Sequence, residues 1–167
     1  NWDFTTITRL PLNVQRPLRI SNTSSSTFNG NDLTGMYNGI YATGNNVNNT
    51  INGNTITDCA NHAINLAGGN NGGCTITNND LTNSAATGLY YNYGTPAVVS
   101  GNNFTGSSTA WYQGSANTFS FSAPGSGGAN ENTYGDNAIV LDIVSGVTVD
   151  VLNWDFTTIT RLPLNVQ

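Results

Sequence analysis

Four stretches of the sequence can be laid over one another: TFNGNDLT (27–34), TINGNTIT (50–57), TITNNDLT (75–82) and VVSGNNFT (98–105). From its second residue each reads apolar, any residue, Gly or Asn, Asn, any residue, apolar, Thr, and the stretches begin 23, 25 and 23 residues apart. A repeat of this length reads as one supersecondary unit that buries its apolar face only by stacking on the next. The pattern predicts two inward ladders, Phe28, Ile51, Ile76, Val99 and Leu33, Ile56, Leu81, Phe104. Between them the chain must turn, and the column there is Gly30, Gly53, Asn78, Gly101, residue types that tolerate the left-handed backbone. The next column is invariably Asn: Asn31, Asn54, Asn79 and Asn102. Stacked at the ~4.8 Å strand spacing, these amides can bond to one another, so a buried polar column is satisfied. Thr34, Thr57, Thr82 and Thr105 form a further column.

A third strand per coil is expected around Gly39-Ile40-Tyr41, Ala63-Ile64-Asn65-Leu66, Gly88-Leu89-Tyr90 and Ala110-Trp111-Tyr112. Downstream, Ile139, Leu141, Ile143 and then Val147, Val149, Val151 alternate as half-buried strands do, and 122–132 reads as a Gly- and Ser-rich loop. These residues resemble the right-handed parallel β-helix of the pectin-lyase-like superfamily, most closely over 27–114. The resemblance implies an all-β fold, a right-handed parallel β-helix or β-solenoid. It implies little about activity, because that fold serves lyases, hydrolases, tailspikes, adhesins and surface polymers.

A longer repeat encloses the short one. The fifteen residues NWDFTTITRLPLNVQ at 1–15 return unchanged at 153–167, an offset of 152. A window cut from a tandem array slightly longer than its period gives this pattern, as does a solenoid completed with a copied cap. On the array reading, 1–152 is one solenoid unit of about six coils of 22–29 residues, and 153–167 starts the next identical repeat. The duplicated segment fits the coil template as a variant, with Val151 and Phe156 in the ladder positions and Trp154 where Asn would stand. No polar cap is visible, so the geometry asks for continuation at both ends.

Composition narrows the function. Asn, Thr, Gly and Ser make up 83 of the 167 residues, charged residues are 8%, Lys is absent, and the net charge is −5. Disordered chains are usually charged and poor in aromatic and β-branched residues, whereas this chain carries 10% aromatics and many Thr, Ile and Val. Four arginines cannot make a basic stripe, which argues against nucleic acid as a partner. The longest apolar run, 138–141, stops at Asp142, far short of the ~20 residues of a membrane span. The expectation is an extracellular or cell-surface structural protein whose partners are copies of itself, head-to-tail and laterally, with glycans as an alternative.

Candidate chemistry is sparse. Enzymes of the fold it resembles use clustered carboxylates on acidic polysaccharides. Here Asp32 and Asp80 share one column with Thr55 between them, two rungs or ~10 Å apart, near the upper limit for an inverting pair. The same column continues to Asn103 and no Lys or Arg sits within a few residues of it, so small polar residues decorating a solvated face are the favoured reading. Asp58 adds no third acid. His62 is the only histidine and reads as a turn residue beside Asn61. No cofactor is expected; calcium could be held weakly by Asp and Asn oxygens, although the aspartate-spaced nonapeptide of calcium-binding β-rolls is missing. Cys59 and Cys74, fifteen residues apart on one coil, read either as a disulfide in an oxidising compartment or as two buried thiols. Tyr41, Tyr90 and Tyr112 alternate with inward residues, with Tyr91 and Tyr93 nearby, and form a candidate outward row for sugar stacking or lateral packing. Paired threonines at Thr55 and Thr57 are too isolated for an ice-binding face. Asn22, Asn48 and Asn103 begin N-x-Ser/Thr triplets, close to the chance expectation for this composition.

Overall fold

A computed structural model describes residues 16–115, 118–122, 125, 130–144 and 146–152, together with the backbone of Leu164–Val166. Trp154, Phe156 and the first copy of the fifteen-residue segment lie outside them.

Every element among the described residues is a strand. β1 (Leu18–Ser21), β2 (Thr27–Asn29), β3 (Asn38–Thr43), β4 (Thr50–Asn52), β5 (His62–Leu66), β6 (Thr75–Thr77), β7 (Thr87–Tyr93), β8 (Val98–Ser100), β9 (Thr109–Ser115), β10 (Thr118–Ser122), β11 (Ile139–Ile143), β12 (Thr148–Leu152) and β13 (Leu164–Val166) follow one another along the chain. The odd-numbered strands make a seven-stranded sheet in sequence order, and β2, β4, β6 and β8 make a four-stranded one. Among the described strands all pairings are parallel. The chain therefore winds as a β-solenoid, with about four regular turns on the four-stranded side.

The registers follow the columns read in the sequence. Phe28, Ile51, Ile76 and Val99 stack through β2, β4, β6 and β8. Single bridges link Asp32, Thr55, Asp80, Asn103 and Thr133, which aligns the second ladder beside them. Leu33, Ile56, Leu81 and Phe104 are fully buried, and Tyr134 continues their column by stacking on Phe104 at 5.7 Å. On the long sheet Ile40, Ile64, Leu89, Trp111 and Leu141 form the inner column. β-branched and aromatic residues suit such a pleated wall, and each rung covers the apolar face of the one beside it.

The Asn column is a continuous hydrogen-bonded ladder. The Asn31 backbone and side-chain amides donate to Asn54 Oδ1 at 3.0 and 2.8 Å. Asn54 repeats this to Asn79, Asn79 to Asn102, and Asn102 to Asn132. The second Nδ2 proton goes to a carbonyl of a neighbouring rung: Phe28 for Asn54, Ile51 for Asn79, Ile76 for Asn102 and Val99 for Asn132. In Asn54, Asn79 and Asn102 the amide thus accepts two bonds and donates two, which is how a polar column sits at or below 1% exposure without an orphaned group.

Among the described residues four columns of left-handed residues mark the corners: Asn22, Gly44, Gly69; then Ser25, Asn48, Gly73; then Gly30, Gly53, Asn78, Gly101; then Gly35, Asp58, Asn83, Gly106, Asp136. Their amides are tied across rungs, Gly30 N to Asn52 O at 3.2 Å and Gly53 N to Thr77 O at 3.0 Å. The order of Asn and Gly within a column has a steric cause. A left-handed Asn lays its side chain over the next corner, so a Cβ at Gly101 would lie 2.4 Å from Asn78 Oδ1.

One coil departs from the sequence expectation. Asn102 and Asn132 are 30 residues apart, because the chain inserts β10 before the Gly- and Ser-rich segment and pairs it with β12 instead. Phe119 and Phe121 pack there against Trp111. Val151 pairs with buried Phe121 but is itself 37% exposed.

Candidate functional site

The outward face of the long sheet carries a row of partly exposed aromatic side chains. Register aligns Arg19, Tyr41, Asn65, Tyr90, Tyr112 and Asp142 in one column and Asn38, His62, Thr87 and Thr109 in the next. Tyr41, Tyr90 and Tyr112 are each half-buried, as expected for rings lying along a solvated sheet. Tyr90 and Tyr112, on adjacent rungs, stack with centroids 4.5 Å apart and planes within 5°. Burial, with the Tyr112 phenol next to it, raises the Tyr90 phenol above its usual range. The Arg16 guanidinium lies 4.2 Å over the Tyr41 ring, within cation–π distance.

His62 is not a turn residue: it opens β5, and its ring leans against Tyr90 at 4.9 Å and 37°. Burial without a charged partner lowers its pKa to about 4. Asn65 stands on the same strand, in the tyrosine column itself, at 7% exposure, and neither its Oδ1 nor His62 Nδ1 has a protein hydrogen-bond partner. The sequence reading missed Asn65, although aligning the third strands places it opposite Tyr41 and Tyr90. Tyr91 belongs elsewhere: it points inward, is fully buried, and donates to Asn71 O. Tyr93 is 48% exposed at the end of β7.

Asp32 and Asp80 do share a column across Thr55. Asp32 Oδ1 accepts from Thr34 N and Oγ1 at 3.2 and 2.7 Å, and Asn103 Oδ1 accepts from Thr105 in the same way at 3.1 and 2.8 Å. An amide and a carboxylate thus do the same local job, closing a turn onto the Thr column. Asp58 occupies a left-handed corner on another column. Among the described residues no group of three His, Cys, Asp or Glu side chains is placed to hold a metal ion.

Cys59 and Cys74 are both buried free thiols. Cys74 Sγ donates to Asn46 O at 3.0 Å, while burial pushes the Cys59 thiol up to about 12 and raises that of Cys74 as well. Their environments are those of small apolar residues, not of nucleophiles.

No helix among the described residues is long and apolar enough to cross a membrane. The profile of the family described as right-handed β-helix region matches residues 4–123. No curated protein and no solved structure matches the chain.

Proposed function

Because the chain belongs to the family of right-handed β-helix regions, a fold that serves enzymes and inert scaffolds alike, we propose that it is a structural repeat unit of an extracellular filament, fibre or surface stalk that continues head-to-tail. The carrying observation is the unchanged return of fifteen residues after 152, together with the place of the strand inside the second copy. β13 adds to the long sheet as its seventh strand, with Leu141 opposite Leu164 and Asp142 opposite Asn165. A strand from the second copy can therefore cover the edge of the long sheet that β11 would leave open. Backbone groups that would otherwise be open sheet edges are then paired from unit to unit. Low charge and fully bonded Asn ladders suit a rung whose task is to persist.

Electron microscopy with a power spectrum along the filament axis tests this. A continuous solenoid of six rungs per unit at ~4.8 Å gives an axial repeat near 29 Å together with the rung reflection. Discrete particles in the native material, with neither spacing, overturn the reading. A glycan-binding stalk is the second reading, favoured by the half-exposed Tyr90–Tyr112 stack. It requires glycan-array binding that Tyr90→Ala removes.

A further inference from the structure

The Tyr90–Tyr112 pair is set up for a chemistry that neither packing nor ligand stacking requires. Parallel, in-register strands place both residues at equivalent positions on neighbouring rungs, so their rings point the same way. The rings lie 4.5 Å apart and nearly parallel, face on face, which keeps two phenoxyl radicals formed there beside one another. Within its column the pair has no further tyrosine beside it. Tyr41 is two rungs from Tyr90, with Asn65 between, and the rung beyond Tyr112 carries Asp142. His62, on the Asn65 rung, leans on Tyr90 from that side, leaving Tyr112 as the ring stacked on it, with Tyr93 of the same strand also close enough to act on its phenol.

We propose that Tyr90 and Tyr112 form an oxidative cross-linking site, at which a haem-peroxidase-class oxidant using hydrogen peroxide joins the two rings as dityrosine. Each phenol loses one electron and its hydroxyl proton, giving two phenoxyl radicals. Spin density at the carbons ortho to oxygen pairs to form one carbon–carbon bond. The two ortho C–H bonds then break, their protons return to the phenolic oxygens, and both rings regain aromaticity. Hydrogen peroxide takes up the two electrons and two protons and leaves as two waters. Because both side chains lie on the outer face, the rings can pivot into the biaryl without disturbing the core. The product is a covalent staple between β7 and β9, across a rung interface otherwise held by hydrogen bonds and packing.

The test is to treat the folded protein with a haem peroxidase and hydrogen peroxide, separate the monomer, and measure dityrosine emission, intact mass and peptide connectivity. The expected result is a monomer lighter by two hydrogen atoms in which the Tyr90 and Tyr112 peptides are joined. Tyr112→Phe preserves the stack but cannot form the second radical, and its monomer should lose the emission; Tyr93→Phe should keep it. The proposal is overturned by dityrosine confined to covalent dimers, by emission that survives in the Tyr112→Phe monomer, or by no dityrosine in the monomer. Treatment in denaturant should scatter coupling over several tyrosines. An unchanged pattern there would show that sequence proximity, not the stack, directs the reaction, and would equally sink the idea.

Discussion

At the scale of single residues, the solenoid depends on amides and glycines. Asn79 accepts two bonds from Asn54 and donates to Ile51 O and Asn102 Oδ1, all at 2.8–3.1 Å. Asn79→Ala leaves several of these buried groups unpaired, and chemical denaturation should register a loss of about 3 kcal/mol or more. Asn78, one residue earlier, is exposed at a left-handed corner, and Asn78→Gly should be nearly neutral. Gly101→Ala meets both the left-handed penalty of about 1–2 kcal/mol and the Asn78 amide, so combining it with Asn78→Gly should recover the steric part and leave the backbone part. A strictly additive double mutant would refute the Asn-over-Gly packing rule. His62 supplies the pH dependence. Its folded pKa of about 4 lies below the ordinary imidazole value of 6.5, so the unfolded chain binds the proton first. Stability is therefore flat in this group above pH 6.5, falls as pH drops towards 4, and is flat again below. His62→Gln should flatten the denaturation midpoint across that window.

At the scale of strands and coils, the regular part was legible because one apolar pattern, one Asn column and one left-handed corner coincide in each of four stretches. Phe28 to Val99 and Leu33 to Phe104 needed nothing but alignment. The third side was legible only in outline, since the chain bends at its start and two successive residues, Ala63 and Ile64, are both buried. That bend turns His62 and Asn65 outward together, which strict alternation hides. The fifth ladder member, Asn132, was concealed within what reads as a Gly- and Ser-rich loop, because β10 lengthens that coil to 30 residues. Composition signals flexibility there, while register demands one ordered amide. The cysteines flanking β5 give an element-scale prediction: an alkylating agent should modify neither in the native protein and both in denaturant without reductant. A chain that remains unmodified in denaturant until reduced would carry the disulfide instead.

For the molecule as a whole, the rungs make stability nearly a sum of neighbour terms. Removing residues 78–100 takes out one complete 23-residue coil, joins Thr77 to Gly101, and sets Asn102 directly on Asn54. This deletion should fold with the same circular dichroism per residue and a lower denaturation midpoint. A deletion of half a coil shifts every later column out of register and should abolish the cooperative transition. If both deletions behaved alike, the columns would not be what specifies the fold.

The corner hydrogen bonds also bear on how the solenoid ages. Asn-Gly is the dipeptide most prone to spontaneous deamidation, a reaction in which the glycine nitrogen attacks the preceding side-chain amide and closes a succinimide. Asn29-Gly30 and Asn52-Gly53 both sit at corners, and in each the attacking nitrogen is committed to a carbonyl on the next rung, Asn52 O and Thr77 O. To react, that nitrogen must let go of its neighbour and the strand must leave its extended conformation. Isoaspartate should therefore accumulate where rungs have come apart and spare those still stacked, so its distribution along the chain is a chemical record of where the solenoid has opened.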